Sequence, residues 1–142
     1  MNAAISAGLL MYKFDGEKIK VFLVHPGGPF FKNKDDGYWS IPKGLVEKVE
    51  EILNTAIREF KEETGIEPIG EYNSLGWVKK KSGKTIHAWA FEYFGDNDIK
   101  ILSNKFEGAL LPIELANKIA SISTYPSAKS LQLFADAMKG TS

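Results

Sequence analysis

The chain has 142 residues, 44% hydrophobic and 25% charged, with Lys plus Arg and Asp plus Glu each totalling 18 and no cysteine. This size predicts a single domain over residues 1–142, and the zero net charge argues against a nucleic-acid-binding module, which carries a basic excess. Without cysteine there are no disulfides or thiolate metal sites, which fits a reducing cytoplasm.

From the N-terminus, MNAAISAGLLMYKF has no basic start, and its apolar run is too short for a secretory signal. No stretch approaches the ~20 apolar residues of a membrane span. We therefore expect a cytoplasmic protein with no membrane partner, either monomer or homodimer. Ile5–Phe14 and Lys18–His25 are apolar, partly β-branched runs around DGE, and predict a strand pair with a tight turn. His25–Gly37, HPGGPFFKNKDDG, reads as a loop. Tyr38–Ile41 suggests a short strand that PKG ends. From about Glu51 to Thr64 the period turns helical, with Leu53, Ala56, Ile57, Phe60 and Thr64 on one apolar face. Glu50 and Glu51 stand where the positive helix end favours them. Gly65 suits a left-handed stop, with Ile66 packing back on Phe60. Ile69–Lys79 and Thr85–Phe94 predict a hairpin turning at KSGK, and Ile99–Leu102 another strand. Leu111–Ser123 and Ser127–Lys139 read as helices separated by TYPS. Such irregular alternation suggests a mixed sheet covered by helices.

Glu59, Glu62 and Glu63 fall within an arc of about 100° beside that apolar face, at the edge of the core. Like charges four apart on a helix repel by roughly 0.2–0.5 kcal/mol, so the cluster wants a counter-charge. Arg58, Lys61 and Lys48 would suffice for a merely solvated acidic face. Hard carboxylate ligands, with neither Cys nor a His pair, suit Mg²⁺ or Mn²⁺ better than zinc. Arg58 lies near Glu62 and is placed to brace the cluster or pair with Glu50.

A wider pattern decides between these readings. Gly44, five residues, Glu50, seven residues, Arg58-Glu59-Phe60, one residue, Glu62-Glu63, one residue, Gly65-Ile66 resembles the Nudix box at every fixed position of its 23 residues. The resemblance to Nudix hydrolases implies an α/β/α sandwich around a mixed β-sheet and Mg²⁺-dependent hydrolysis of a pyrophosphate bond in a nucleoside diphosphate derivative. It implies that Glu59 and Glu63 are principal metal ligands, with Glu62 a further ligand or the water-activating base. It also implies that Gly44 offers its carbonyl to the metal and that Arg58 with Glu50 orients the set. Val49 stands where many members carry glycine, so the loop from Leu45 to Val49 is expected to take its own path.

Trp39–Gly44, WSIPKG, is similar to the W-x-x-PKG of members acting on dinucleoside polyphosphates and diphosphoinositol phosphates. That likeness makes Lys43 a phosphate contact and a dinucleoside polyphosphate the first choice of substrate. Trp39, Phe30 and Phe31 are candidates to stack on a base. The rivals are a sanitiser of oxidised nucleoside triphosphates, as in MutT-like proteins, and a non-catalytic nucleotide-sensing module. Modules of that kind usually lose box glutamates, and here all are present. His87, Glu92, Glu107 and Tyr125 are weighed as site residues, and a structural role is favoured for each.

Overall fold

A computed structural model describes residues 4–26, 39–47, 49–97, 99, 106–119 and 128–139. Its elements run β1 (Ile5–Asp15), β2 (Lys18–Pro26), β3 (Lys43–Leu45), α1 (Ile52–Thr64), β4 (Asn73–Lys79), β5 (Thr85–Glu92), β6 (Phe106–Pro112), α2 (Ile113–Ile119) and α3 (Ala128–Lys139). Among the described residues no helix is long and apolar enough to cross a membrane.

β1 organises the sheet. It runs parallel to β5 over Ile5–Tyr12, and antiparallel to β3 over Ser6–Gly8 and to β2 over Tyr12–Asp15. β4 and β6 complete six strands in the order β4-β5-β1-β2-β6, with β3 beside the first part of β1. The sheet is thus mixed. Ala7, Leu9 and Met11 face α1 together with Phe22, Ala56, Phe60 and Phe91. The alternate residues, Leu10 and Tyr12, face α2 and α3 with Val21, Leu23, Ala88, Ile113 and Phe134. A central strand buried on both sides is apolar without a break, which is why Ala7–Tyr12 shows no alternation in sequence. The layers are helix, sheet, helix, as the resemblance implies.

α1 presents the predicted face: Ala56, Phe60 and Thr64 are buried, and Leu53 and Ile57 pack at its margins. Phe60 meets Phe91 and Phe22 edge-on, with ring centroids 5.2 and 6.3 Å apart. The helix ends at Gly65, whose φ of 75° is left-handed and whose N–H donates to the Lys61 carbonyl. Ile66 joins the cluster around Phe60.

Several boundaries differ from expectation. PKG does not close a strand; Lys43 and Gly44 open β3, and of the Tyr38–Ile41 segment Ser40 makes an isolated bridge to Val24. The strand expected from Ile69 begins at Asn73, because Pro68 lacks an N–H and Gly70 takes φ 119°. Tyr72 closes this loop by donating to the Pro68 carbonyl at 2.8 Å. β5 stops at Glu92 rather than Phe94. Leu111 does not start a helix: β6 pairs with β2 through Leu111 and Pro112, and α2 begins at Ile113. Leu110 and Leu111 pack on opposite faces of the sheet, the period of a strand. Of the strand expected over Ile99–Leu102, Ile99 packs on the α1 side of the core. Its remainder, within residues 100–105, lies outside the described residues, as do residues 120–127.

Candidate active site

Three elements meet at the first half of β1. β3 lies against Ser6–Gly8, and α1 lies over both. Gly44 pairs with Ala7, and the Glu59 side chain descends onto it from α1. A Cβ at position 44 would fall 2.0–2.4 Å from the Glu59 carboxyl atoms. The missing side chain is what lets helix and strand approach.

Arg58 is the hub of the carboxylates. Its Nε donates to Glu50 Oε2 at 2.7 Å and its Nη2 to Glu50 Oε1 at 2.9 Å, a two-pronged clamp. Its Nη1 donates to Glu59 Oε1 at 3.0 Å and reaches Glu62 at 3.3 Å. The Thr55 hydroxyl donates to Glu50 Oε1 at 2.6 Å. These donors, Arg58 first and Thr55 next, hold the Glu50 carboxyl down to about 2. Glu50 in turn keeps the guanidinium firmly protonated.

Glu63 is in the opposite situation. Its Oε2 is buried and has no hydrogen-bond partner. Burial, and after it the neighbouring Glu59 charge, push its carboxyl up to about 7, against the pull of the Lys43 ammonium and backbone N–H. Lys43 is half-buried in β3, and burial together with Lys80 and Lys84 lowers its ammonium. An orphaned buried carboxylate oxygen beside a second carboxylate, over a backbone strand cleared by glycine, is a donor set that fits a hard divalent cation. Among the described residues no three acidic or histidine side chains already converge closely enough to hold one.

Glu62 departs from the expected shielding. Its side chain is 58% exposed, against 18% for Glu59, and it leans on Arg58 rather than on Glu63. The shared arc is real, but Glu62 lies on its outer side. Val49 is fully exposed and sits in a turn without positive φ. Trp39 is half-buried against the α2–α3 side of the core, so only part of its ring remains accessible. Phe30, Phe31 and Tyr125 lie outside the described residues, as does the Glu107 side chain. His87 is stacked between Trp77 and Trp89, at centroid distances of 6.0 and 6.4 Å. Glu92 pairs with Tyr12, roughly 13 Å along β1 from Gly8, too far to join Glu59.

Sequence reading missed Thr55, Lys80 and Lys84. A threonine inside a helix gives no signal of its own. The four lysines between positions 79 and 84 do offer one, a concentration of positive charge at a hairpin turn.

A family model described as the NUDIX domain matches residues 3–129. Over 70 residues, 45% of this chain, the sequence is 40% identical to the rat (Rattus norvegicus) bis(5'-nucleosyl)-tetraphosphatase (asymmetrical). That stretch spans 47% of the rat protein, just under half its length. The fold is similar to the crystal structure of a C. elegans Ap4A hydrolase binary complex, with TM-score 0.74 and 26% identity over 97% of this chain and 99% of that one. It is also similar to the MutT protein from Methanosarcina mazei, with TM-score 0.67 and 21% identity over 97% of this chain and 96% of that one. The second likeness is one of fold alone.

Proposed function

The chain belongs to the NUDIX-domain family, and from that premise we propose that it is a metal-dependent pyrophosphohydrolase whose preferred substrate is a dinucleoside polyphosphate. The observation that carries this reading is the buried, unpartnered Oε2 of Glu63, with its carboxyl pushed up by burial and the neighbouring Glu59 charge and with Glu59 seated over Gly44. An intact box of glutamates speaks against a module that only senses nucleotides.

Glu59 and Glu63, with Glu62 and the Gly44 carbonyl, would hold Mg²⁺ or Mn²⁺. When bound, such an ion neutralises phosphate charge and lowers the pKa of water. The protein supplies the rest. Glu50 fixes Arg58, and Arg58 restrains Glu59 and Glu62, so the carboxylates keep their places as substrate charge arrives. Glu62, the most exposed of the three, retains an oxygen able to accept a proton from an attacking water. Lys43 brings a positive charge beside Glu63, with Lys80 and Lys84 close enough to shift its own titration. A longer phosphate chain gains more from this lysine than a triphosphate does. Trp39 and Phe30 are the proposed supports for a base, with stacking worth about 1–3 kcal/mol by analogy with nucleic-acid binders.

The choice of substrate follows the names of the rat and C. elegans relatives and the WSIPKG likeness. The test compares kcat/KM for diadenosine tetraphosphate, ATP and an oxidised guanine triphosphate with Mg²⁺, for wild type and Lys43→Ala. We expect the tetraphosphate to be cleaved fastest, and Lys43→Ala to weaken it more than the triphosphates. Faster triphosphate cleavage, or equal weakening throughout, replaces this reading with the sanitising one.

A further inference from the structure

At the opposite end of β1 from Gly44, the loop before β4 and the ends of β1 and β5 line a cleft of about 240 Å³. Its lining includes Tyr12, Ile69, Glu71, Asn73, Glu92 and Phe94. The volume lies below the roughly 300–1,000 Å³ of small-molecule sites, so a nucleotide is too large and a group of side-chain size is suited.

Tyr12 and Glu92 are register partners on neighbouring parallel strands, so both side chains stand on one face of the sheet. Tyr12 is only 5% exposed, its ring edge-on against Phe134 at 4.9 Å and Phe14 at 6.0 Å. It nevertheless lines the cleft, and its hydroxyl makes no hydrogen bond with the described residues. Burial, and secondarily Glu92, raise this phenol, so it remains a neutral O–H. The Glu71 and Glu92 carboxylates have no ion pair or hydrogen bond among the described residues either. Lys13, the next residue along β1, turns to the other face, donates to the Gly95 carbonyl and lies 5.9 Å over the Tyr93 ring. Among the described residues the cleft lining therefore offers two carboxylates, the hydroxyl of a tyrosine whose ring is buried, and no cation. Phe94 and Ile69 stand at its mouth, 82% and 73% exposed.

Acidic groups beside exposed apolar surface favour a cation that is itself partly apolar. A guanidinium satisfies both demands: it is planar, weakly hydrated, presents forked donors to carboxylates and stacks on aromatic rings. An ammonium is a more strongly hydrated point charge. We propose that this cleft binds a guanidinium group on an aliphatic stem, carried by a free small molecule or by an arginine side chain. Glu92 and Glu71 accept its N–H donors, the Tyr12 hydroxyl accepts a further one, and Phe94 and Ile69 cover the stem.

The test is an NMR titration of the isotope-labelled full chain with agmatine, N-acetyl-arginine methylamide and the latter's uncharged urea isostere, N-acetyl-citrulline methylamide. Both guanidinium compounds should shift the amides of residues 69–73 and 92–94 saturably, with a Kd of about 1 mM or tighter. The urea should not. Glu92→Gln should weaken binding about tenfold; Glu71→Gln, at an exposed loop position, and Tyr12→Phe should each weaken it less. Nucleotide turnover should stay unchanged in all three variants. Tighter binding of the arginine amide identifies a side chain as the natural occupant, and tighter binding of agmatine a free molecule. Saturation of the same amides by the urea, no saturable shift with agmatine, or undiminished binding to Glu92→Gln and Glu71→Gln would overturn the proposal.

Discussion

Glu63 holds a buried, unpartnered oxygen next to the charge of Glu59, and burial first, then that charge, push its carboxyl up from 4.5 to about 7. Between these values the folded, metal-free chain keeps a proton that the unfolded chain releases. The stability linked to this group is therefore full below about pH 4.5 and is lost as pH rises through 7. Glu63→Gln removes the penalty. In EDTA at pH 8 the variant should melt above wild type by roughly 2–5 °C, and the gap should close toward pH 4.5. In Mg²⁺ the order should reverse, because the variant has lost a ligand and binds the ion more weakly; most of its turnover should be lost as well. A variant that melts below wild type in EDTA at pH 8 counts against the buried-charge reading. At this scale the sequence showed which residue types gather, through fixed spacing along one helix. It placed Arg58 near Glu62, but it did not show that Glu62 would stay mostly exposed in that pairing, since a helical wheel gives angles and not exposure.

Among the elements, α1 was the most legible. Its apolar period, its glycine stop and its place in the motif agree, and its observed start at Ile52 differs by one residue from that expected. Gly65 adopts φ 75°, where a Cβ is disfavoured. Gly65→Ala should cost about 1 kcal/mol in denaturant unfolding without changing the slope, and an unchanged midpoint would mean that the helix end relaxes. Two of the strands were harder to read. β3 is three residues long and contains a glycine, which looks like a break until its pairing with Ser6–Gly8 is known. β6 carries adjacent leucines whose alternation has meaning only when both sheet faces are covered. Tertiary pairing decided these elements, and local propensity carried no trace of it.

For the whole molecule, the layered architecture followed from the family likeness and from the mixture of periods, and the structure confirms it. The site is less fully legible, because β1, β3, α1 and the β4–β5 hairpin meet there from distant parts of the chain. A cation bound where they meet engages the folded form only. Titrating Mg²⁺ into the metal-free protein should raise Tm progressively, approaching about 2.7 kcal/mol of added stability at a hundred times Kd. Mn²⁺ should act likewise, and Glu59→Gln and Glu63→Gln should each flatten the response. A wild-type Tm indifferent to both ions would exclude a metal site in the folded protein.

The parallel pairing of β1 with β5 also sets a timetable for synthesis. Ile5 lies beside Thr85, so the two strands are about 80 residues apart in the chain. At roughly 5–20 residues per second, β1 leaves the ribosome about 4–16 s before its parallel partner exists. The hairpin with β2 can form in the interval, but it covers only Tyr12–Asp15 on the other side and leaves the edge of Ile5–Tyr12, apolar but for Ser6, open. Until β5 arrives, that stretch is a sticky strand without its neighbour. The nascent chain therefore depends on prompt elongation, or on a holding chaperone, more than the finished protein's sealed core would suggest.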